Sequence, residues 1–194
     1  MRSERAGKRV MDSIERFLDK RLKLKVNRQK SALAKPQERK FLGFSFTSGR
    51  RLKIKLSDKA LKSAKYRIKK ITRRSRGISL LQIIKELSAY LRGWLGYYKL
   101  IKTPTVLRDL DSWIRRRRRC FIMTRWINNC HTRYKGLRAL GVSDRNARPV
   151  AASRKGPWIM ANMKPVKGAM PNRFFAERGP LCLLNHYESL AKTL

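Results

Sequence analysis

Five consecutive arginines, Arg115–Arg119, are the residues of this sequence with the clearest chemical potential. A guanidinium group stays charged and presents several N–H donors that match the oxygens of a phosphate group. Neighbouring guanidinium groups also repel one another, and a dense polyanion relieves that repulsion. Two interpretations stay open: the run is a solvated helix surface, or it contacts the phosphates of a nucleic acid.

A second basic site lies further along the chain, where Arg154 and Lys155 precede Trp158 in a Gly-Pro turn. A cation beside a flat ring is a common means of holding a phosphate backbone while the ring stacks on a base. The alternative is a surface turn whose indole ring packs into the core. The sequence favours neither interpretation over the other.

No group of residues in the sequence forms an active site by itself. His131 and His186 are far apart and have no partner pattern, so we expect structural or surface histidines. Asp109 and Asp111 resemble a metal-binding pair, but residues i and i+2 of a helix point about 200° apart. We expect both to balance charge on a helix surface. The common nucleotide-binding, hydrolase and zinc-protease motifs are absent as well.

The cysteines Cys120, Cys130 and Cys182 are odd in number and widely spaced. A disulfide framework or a structural zinc site is therefore not expected, and reduced thiols in the cytoplasm are the simple interpretation. The N-terminal residues are amphipathic and lack the apolar stretch of a signal peptide.

The overall charge indicates the class of partner. The chain has 50 Lys and Arg residues against 12 Asp and Glu residues, which gives a net charge of +38 over 194 residues. Residues 1–56, 57–126 and 127–194 carry +13, +16 and +9, so the charge is spread along the chain. Because aromatic residues are interleaved and no long apolar span exists, we predict a nucleic acid and not a membrane as the partner.

The arginine run lies inside the second of two long predicted helices. That helix follows Thr103 as N-cap and has Pro104 at its first position, where a missing N–H costs nothing. Its apolar stripe comprises Leu107, Leu110, Ile114 and Phe121. Continuing the stripe at about 100° per residue reaches Arg118. We therefore expect Arg118 to lie beside the core or to face a ligand.

Two further helices complete a predicted bundle. The first long helix begins with a capping box at Ser79 and Gln82. Its stripe comprises Ile83, Leu87, Tyr90, Leu91, Trp94, Leu95 and Tyr98. Gly93 and Gly96 inside it suit close helix packing or backbone approach by nucleic acid, and packing is favoured. The preceding helix, capped by Ser57, has the stripe Leu61, Ala64, Ile68 and Ile71.

The two ends of the chain have shorter patterns. We predict a helix over residues 3–21, strands at Leu22–Val26, Lys40–Phe46 and Leu52–Leu56, and a bulge or close backbone approach at Gly43. After residue 127 we predict helices at Thr132–Leu140 and Ser143–Arg148, one around Phe174 and Phe175 stopped by Gly179, and one through Leu190. The fold class is therefore α+β and mainly α: a small antiparallel sheet, a three-helix bundle and an extension of short helices.

Several short segments, in this order and spacing, resemble the C-terminal part of a bacterial group II intron-encoded protein, which is a reverse transcriptase and maturase. Glu15–Leu18, Leu24–Asn27 and Lys30–Ser31 are similar to the segment that follows the catalytic strand of the polymerase palm. Phe41–Phe44 is similar to the primer-grip hairpin. Arg154–Trp158 with Asn162 resembles a maturase-specific motif, and the bundle corresponds to the thumb.

The resemblance implies a division into a palm remnant (1–56), a thumb or maturase domain (57–127) and a maturase-specific extension (128–194). The catalytic Tyr-x-Asp-Asp of that family would lie just upstream of Ser3, and the aspartates that bind Mg²⁺ are absent. We therefore expect no bound cofactor or metal and no activity of this chain alone. The family's zinc-containing endonuclease module is absent too, and Arg118 replaces a residue that is usually apolar.

The resemblance implies RNA as the polyanion. The predicted RNA contacts are Lys23, Lys25, Lys30, Arg92, Lys99, Arg115, Arg116, Arg117, Arg118, Arg119, Arg133, Lys135, Arg154, Lys155 and Trp158, and the predicted primer-grip residues are Phe41, Leu42, Gly43 and Phe44.

Three functions stay open. The first is an RNA-binding maturase that assists splicing or retrohoming of a group II intron. The second is the thumb and lower palm of a reverse transcriptase, which contacts an RNA/DNA hybrid and needs its missing N-terminal half. The third is a generic basic component of a ribonucleoprotein.

Overall fold

A computed structural model describes residues 3–49, 51–126, 129–177 and 182–192. The helices of this part of the chain are α1 (Glu4–Leu22), α2 (Asp58–Ile71), α3 (Leu80–Tyr97), α4 (Pro104–Arg125), α5 (Cys130–Ala139), α6 (Asp144–Ala152), α7 (Pro157–Met160), α8 (Lys164–Ala169), α9 (Asn172–Ala176) and α10 (Leu183–Ala191). Strands β1 (Phe44–Phe46) and β2 (Ile54–Leu56) form an antiparallel pair. The predicted class, α+β and mainly α, is confirmed. None of the described helices has both the length and the apolar character needed to span a membrane.

Helix α1 forms where the sequence predicts it, but its apolar face is open. The Ser3 hydroxyl accepts a hydrogen bond from the backbone N–H of Ala6, which caps the first turn. The residues of this face are largely exposed: Val10 is 41%, Ile14 53% and Phe17 57% exposed. The face is apolar in sequence, but no element among the described residues covers these side chains.

The strand predicted at Leu22–Val26 is wrong. Helix α1 continues through Leu22, and Lys23 then adopts φ 53°, while its backbone N–H bonds to the carbonyl of Leu18. This left-handed residue closes the helix and breaks the extended conformation that a strand needs. Alternation alone cannot make a strand when no neighbouring strand accepts its backbone hydrogen bonds.

The two strands form a short hairpin, with Phe44 opposite Leu56 and Phe46 opposite Ile54. A tight turn precedes β1, in which Leu42 has φ 49° and Gly43 φ 81°. The hydroxyl of Tyr98 lies against the Cα of Gly43, where no Cβ would fit. Gly43 is therefore approached closely, but by a side chain, and it lies in a turn, because the strand predicted from Lys40 begins only at Phe44.

A first hydrophobic cluster holds α2, α3 and the N-terminal half of α4 together. The hydroxyls of Ser57 and Ser79 accept hydrogen bonds from the backbone N–H groups of Ala60 and Gln82, as predicted. The second half of the predicted capping box is wrong, because the Gln82 side chain donates to the Glu86 carboxylate instead. Thr103 precedes α4 as predicted, but its buried hydroxyl has no hydrogen-bond partner, so that side-chain cap is wrong. The principal buried members of the first cluster are Leu56, Ile68, Leu87, Leu91, Leu95, Ile101, Leu107, Leu110, Ile114 and Leu183.

The glycines of α3 do not serve helix packing. A Cβ built at Gly93 or Gly96 would meet no atom within 4 Å, because both glycines face open space. The favoured prediction of close helix packing is therefore wrong, and approach by nucleic acid stays a prediction.

A second hydrophobic cluster lies around the C-terminal half of α4 and the short helices that follow it. Its buried members are Ile122, Met123, Leu137, Val142, Ala147, Val150, Met160, Val166, Met170 and Phe175. Helices α5, α6 and α9 occur near their predicted positions, whereas α7 and α8 were not predicted. The predicted domain boundary at 127/128 and the predicted stop at Gly179 lie outside the described residues.

Helix α10 returns to the first cluster, since Leu183 is fully buried there and Tyr187 and Leu190 pack against it. The C-terminal helix therefore covers the bundle, although the sequence places it in a separate extension. The division into three domains stays a prediction.

Candidate nucleic-acid interface

The arginine run lies where α4 leaves the first cluster and enters the second. Ile114 is the last residue of α4 in the first cluster, and Ile122 is the first in the second. Between them, the side chains of Arg115, Arg116 and Arg117 are partly buried, and those of Arg118 and Arg119 are buried. The interpretation of the run as a solvated helix surface is wrong.

Arg118 lies beside the core, as the sequence predicts. Its side chain is 3% exposed, and its guanidinium carbon lies 4.1 Å from the centre of the Phe175 ring. Two of its nitrogens, Nε and Nη2, have no hydrogen-bond partner. Burial, together with the neighbouring charge of Arg115, lowers the pKa of Arg118 to about 10. The side chain thus places a poorly solvated charge inside the second cluster.

Arg116 and Arg119, one helical turn apart, fasten α7 onto α4. The Arg116 guanidinium donates to the carbonyl oxygen of Trp158 at 3.2 and 3.0 Å and stacks on its ring at 4.0 Å. Arg119 Nε donates to the carbonyl oxygen of Ala161 at 2.9 Å. Burial, followed by repulsion from Arg115, lowers the pKa of Arg119. Backbone carbonyls therefore take the place that a phosphate was predicted to fill.

Trp158 matches neither of its two interpretations fully. The indole ring is half-buried, and the Arg116 guanidinium covers one of its faces. A base would have to stack on the other face, so the predicted base contact of Trp158 stays a prediction.

Arg117 joins α4 to the end of α2. Its Nε donates to the Thr72 hydroxyl at 2.6 Å, and its guanidinium lies 5.3 Å from the ring of Trp113. Three arginines of the run thus make contacts within the protein that hold α2 and α7 against α4. Their predicted phosphate contacts stay predictions, and in this structure backbone or hydroxyl oxygens already accept their hydrogen bonds.

The other predicted RNA contacts are spread over the molecule. Arg133 is buried in α5. The exposed ones are Lys23, Lys25, Lys30, Arg92, Lys99, Lys135, Arg154 and Lys155. They lie in the segment after α1, at the C-terminal part of α3, on α5 and in the turn before α7. Each stays a predicted contact, and no single helix presents them as one surface.

In the turn of the predicted primer grip, the side chains of Phe41 and Leu42 are exposed, whereas the backbone of Leu42 and the ring of Phe44 contact α3. Phe41 is 75% and Leu42 63% exposed. The Tyr97 hydroxyl donates to the carbonyl oxygen of Leu42 at 3.1 Å, and the Phe44 ring packs on Tyr98 at 5.2 Å. Two tyrosines of α3 therefore hold this hydrophobic tip in place, and its action on a primer stays a prediction.

Asp111 is not a surface charge, which corrects the prediction for that residue. It is 5% exposed, and its carboxylate accepts hydrogen bonds from the backbone N–H groups of Leu183 and Leu184, both at 3.1 Å. Asp111 thus caps the N-terminus of α10 from another helix, where the helix dipole favours a negative charge. Asp109 is exposed, as predicted.

The outer face of α2 is a basic surface that the sequence-based predictions omit. The exposed residues of this face are Lys59, Lys62, Tyr66, Lys69, Lys70 and Arg73. The signal was present in the sequence, because no Asp or Glu occurs from Lys59 through Lys85.

Comparison with known proteins gives one family. Residues 61–141 match the family model described as "Group II intron, maturase-specific domain". The matched region begins in α2 and contains α3, α4 and α5. The predicted resemblance to the C-terminal maturase region of a group II intron protein is confirmed over these residues, whereas a bacterial origin stays a prediction. No curated protein matches the chain.

Proposed function

Because residues 61–141 match the maturase-specific domain of group II introns, we propose that this chain binds structured group II intron RNA and assists its splicing or retrohoming. The family match supports a maturase-like role, and it is the observation that carries the proposal. The net charge of +38 supports a polyanionic partner. We also propose a cytoplasmic location and the three-domain division given above.

Assistance of splicing needs no catalytic group in the protein. A protein that binds only the folded form of an RNA shifts the folding equilibrium toward that form. In this molecule the interior arginines join the elements to α4, so that the exposed cations are held in place before RNA arrives. A surface that is already ordered loses less entropy when it binds.

A binding titration tests the proposal. The chain is titrated onto a group II intron RNA and onto an unrelated structured RNA of equal length at several salt concentrations. We expect tighter binding to the intron RNA and a linear fall of log K with log salt. A flat plot would overturn RNA binding, and equal affinity for both RNAs would favour the generic ribonucleoprotein component.

A splicing assay tests the second half of the proposal. Intron RNA is incubated at a Mg²⁺ concentration that limits self-splicing, with and without the chain. We expect faster splicing with the chain. An unchanged rate at saturating protein would restrict the function to RNA binding.

A second candidate function is the thumb and lower palm of an RNA-directed DNA polymerase. The exposed apolar face of α1 favours it, since Ile14 and Phe17 are each more than half exposed and suit a covering protein surface. The carboxylates that bind Mg²⁺ would then belong to a fingers-and-palm part. Primer extension by this chain mixed with such a part is the test. Absence of synthesis, despite a stable complex of the two, would exclude this candidate.

A further inference from the structure

The outer face of α2 lies opposite its buried face. Ala60, Ala64, Ile68 and Ile71 are buried in or beside the first cluster. At about 100° per residue, the five helical residues of the outer face, from Lys59 to Lys70, fall within about 100° of arc, with Tyr66 near the centre, and Arg73 follows the end of the helix. At about 1.5 Å per residue, the row from Lys59 to Lys70 is about 17 Å long. The bundle therefore presents a straight row of cations on a rigid helix.

The charge of this face is of one sign. Asp58 lies at the start of α2, and the next acidic residue in the sequence is Glu86, which pairs with Arg76 at 2.7 Å. None of the ion pairs between described residues involves a residue of the outer face. A row of like charges with a single carboxylate, Asp58, in its first turn repels itself, and a polyanion relieves that repulsion.

Tyr66 places an exposed aromatic ring within the row of cations. Its side chain is 69% exposed in the middle of the row, with Lys62 one turn before it and Lys69 and Lys70 one turn after it. An exposed ring surrounded by cations is the usual arrangement for stacking a base while the flanking lysines hold the phosphates on either side. Attraction between the lysines and phosphates does not require an aromatic ring at this position.

We infer that the outer face of α2 is an RNA-binding surface, with its lysines on successive phosphates and Tyr66 stacked on an unpaired base. The inference rests on the proposed function for the choice of RNA, and it adds the surface and the type of RNA element. The preferred element is a loop or bulge, because a base inside a duplex has no free face for Tyr66.

The test uses the full chain and two matched double variants. Lys62→Gln with Lys69→Gln removes two charges from the outer face. Lys8→Gln with Lys20→Gln removes the same number from exposed positions of α1. We expect the α2 variant to bind a looped hairpin of intron RNA at least tenfold more weakly and to reduce the slope of log K against log salt by about 2. The α1 variant should change the affinity less than twofold.

Tyr66 supplies a second, independent readout. Tyr66→Ala should weaken binding to the looped hairpin about tenfold, and Tyr66→Phe, which keeps the ring, should restore it. Neither change should affect binding to a fully paired duplex of the same length. Melting curves establish that each variant is folded, which we expect because all of these side chains are exposed.

The outcomes separate the inference from the proposed function. If both α2 and α1 variants bind the looped RNA like the unmodified chain, while that chain still prefers intron RNA, the inference is overturned and the proposed function stands. If the unmodified chain binds intron and unrelated looped RNA equally and the α2 variant binds both more weakly, the surface is correct and the preference for introns is not.

Discussion

Helices α1 and α2 are both amphipathic and both carry many cations, but they use their two faces in opposite ways. Helix α2 buries its apolar side, with Ile68 fully inaccessible, and exposes an outer face of one charge sign. Helix α1 leaves Ile14 and Phe17 more than half exposed. Its polar side mixes signs: the sequence from Glu4 to Leu22 has four acidic and six basic residues.

If α2 binds RNA as inferred, positive charge alone does not define the RNA-binding surface of this molecule. In a helix with interspersed carboxylates, lysines form ion pairs within the helix, as Lys8 does with Glu4 at 3.0 Å. The repulsion between its cations is therefore smaller, and a polyanion would relieve less of it. Its open apolar side needs a covering apolar surface instead. We therefore assign α2 to RNA, and α1 to a protein surface, in the sense of the second candidate function.

The largest expected effect compares one substitution in the two helices. Ile68→Ala in α2 should reduce the free energy of unfolding by about 2–5 kcal/mol, because it leaves a cavity in the first cluster. Ile14→Ala in α1 should change it by less than about 0.5 kcal/mol, because the side chain is already in water. Urea denaturation measures both. Equal losses would show that α1 is packed in solution, and the contrast would fail.

The second prediction concerns how a helix is held on the bundle. Helix α10 is capped by the buried Asp111, whereas no such contact from another helix fastens α1 among the described residues. Asp111→Ala should reduce the free energy of unfolding by about 1–3 kcal/mol, since one buried and one partly buried N–H group lose their acceptor. Asp111→Asn keeps one acceptor oxygen and should lose less. Thermal melts of both variants decide whether the cap or the volume of the side chain matters.

The third prediction separates interior cations from surface cations. Arg118→Met replaces a desolvated charge with an apolar side chain and should raise the free energy of unfolding by about 1 kcal/mol. Because Arg118 is 3% exposed, the affinity for RNA should change less than twofold, in contrast to the α2 variant. Denaturation and RNA titration on the same preparation give both values. A tenfold loss of RNA affinity would show that this arginine reaches RNA after all.

The smallest expected effect compares two helical glycines. Gly93→Ala in α3 should raise the free energy of unfolding by about 0.5–1 kcal/mol, because its Cβ meets open space and the helix propensity improves. Gly7→Ala in α1 should gain less, because its Cβ would lie 2.5 Å from the Leu33 side chain, which must move. Equal gains in urea denaturation would show that Leu33 does not pack on α1 in solution.

The features that the sequence predicts correctly are those that depend only on residues within one helix. The caps at Ser57 and Ser79, the stripes of α2 to α4 and the position of Arg118 beside the core all follow from local spacing, and the structure confirms them. The family match likewise confirms the resemblance for residues 61–141. These features need no knowledge of distant partners.

Features that depend on a partner elsewhere in the chain were predicted wrongly or not at all. The spacing within α4 predicts that Asp111 lies on the exposed face of the helix. Its hydrogen-bond donors are backbone N–H groups 72 and 73 residues further along the chain. Within the described part of the chain, no strand lies beside Leu22–Val26, and no element covers the apolar face of α1. Periodicity identifies a face, whereas burial depends on what packs against it.

Helix α4 is one unbroken rod of 22 residues that contributes to both hydrophobic clusters. Two hydrophobic clusters that share one continuous helix cannot rotate independently of each other. An RNA that docks on the α2 side would therefore meet the short C-terminal helices in a fixed orientation relative to α2. The two clusters should accordingly unfold in one step. Met160→Ala in the second cluster should therefore also lower the melting temperature measured from the fluorescence of Trp94, which packs against the first.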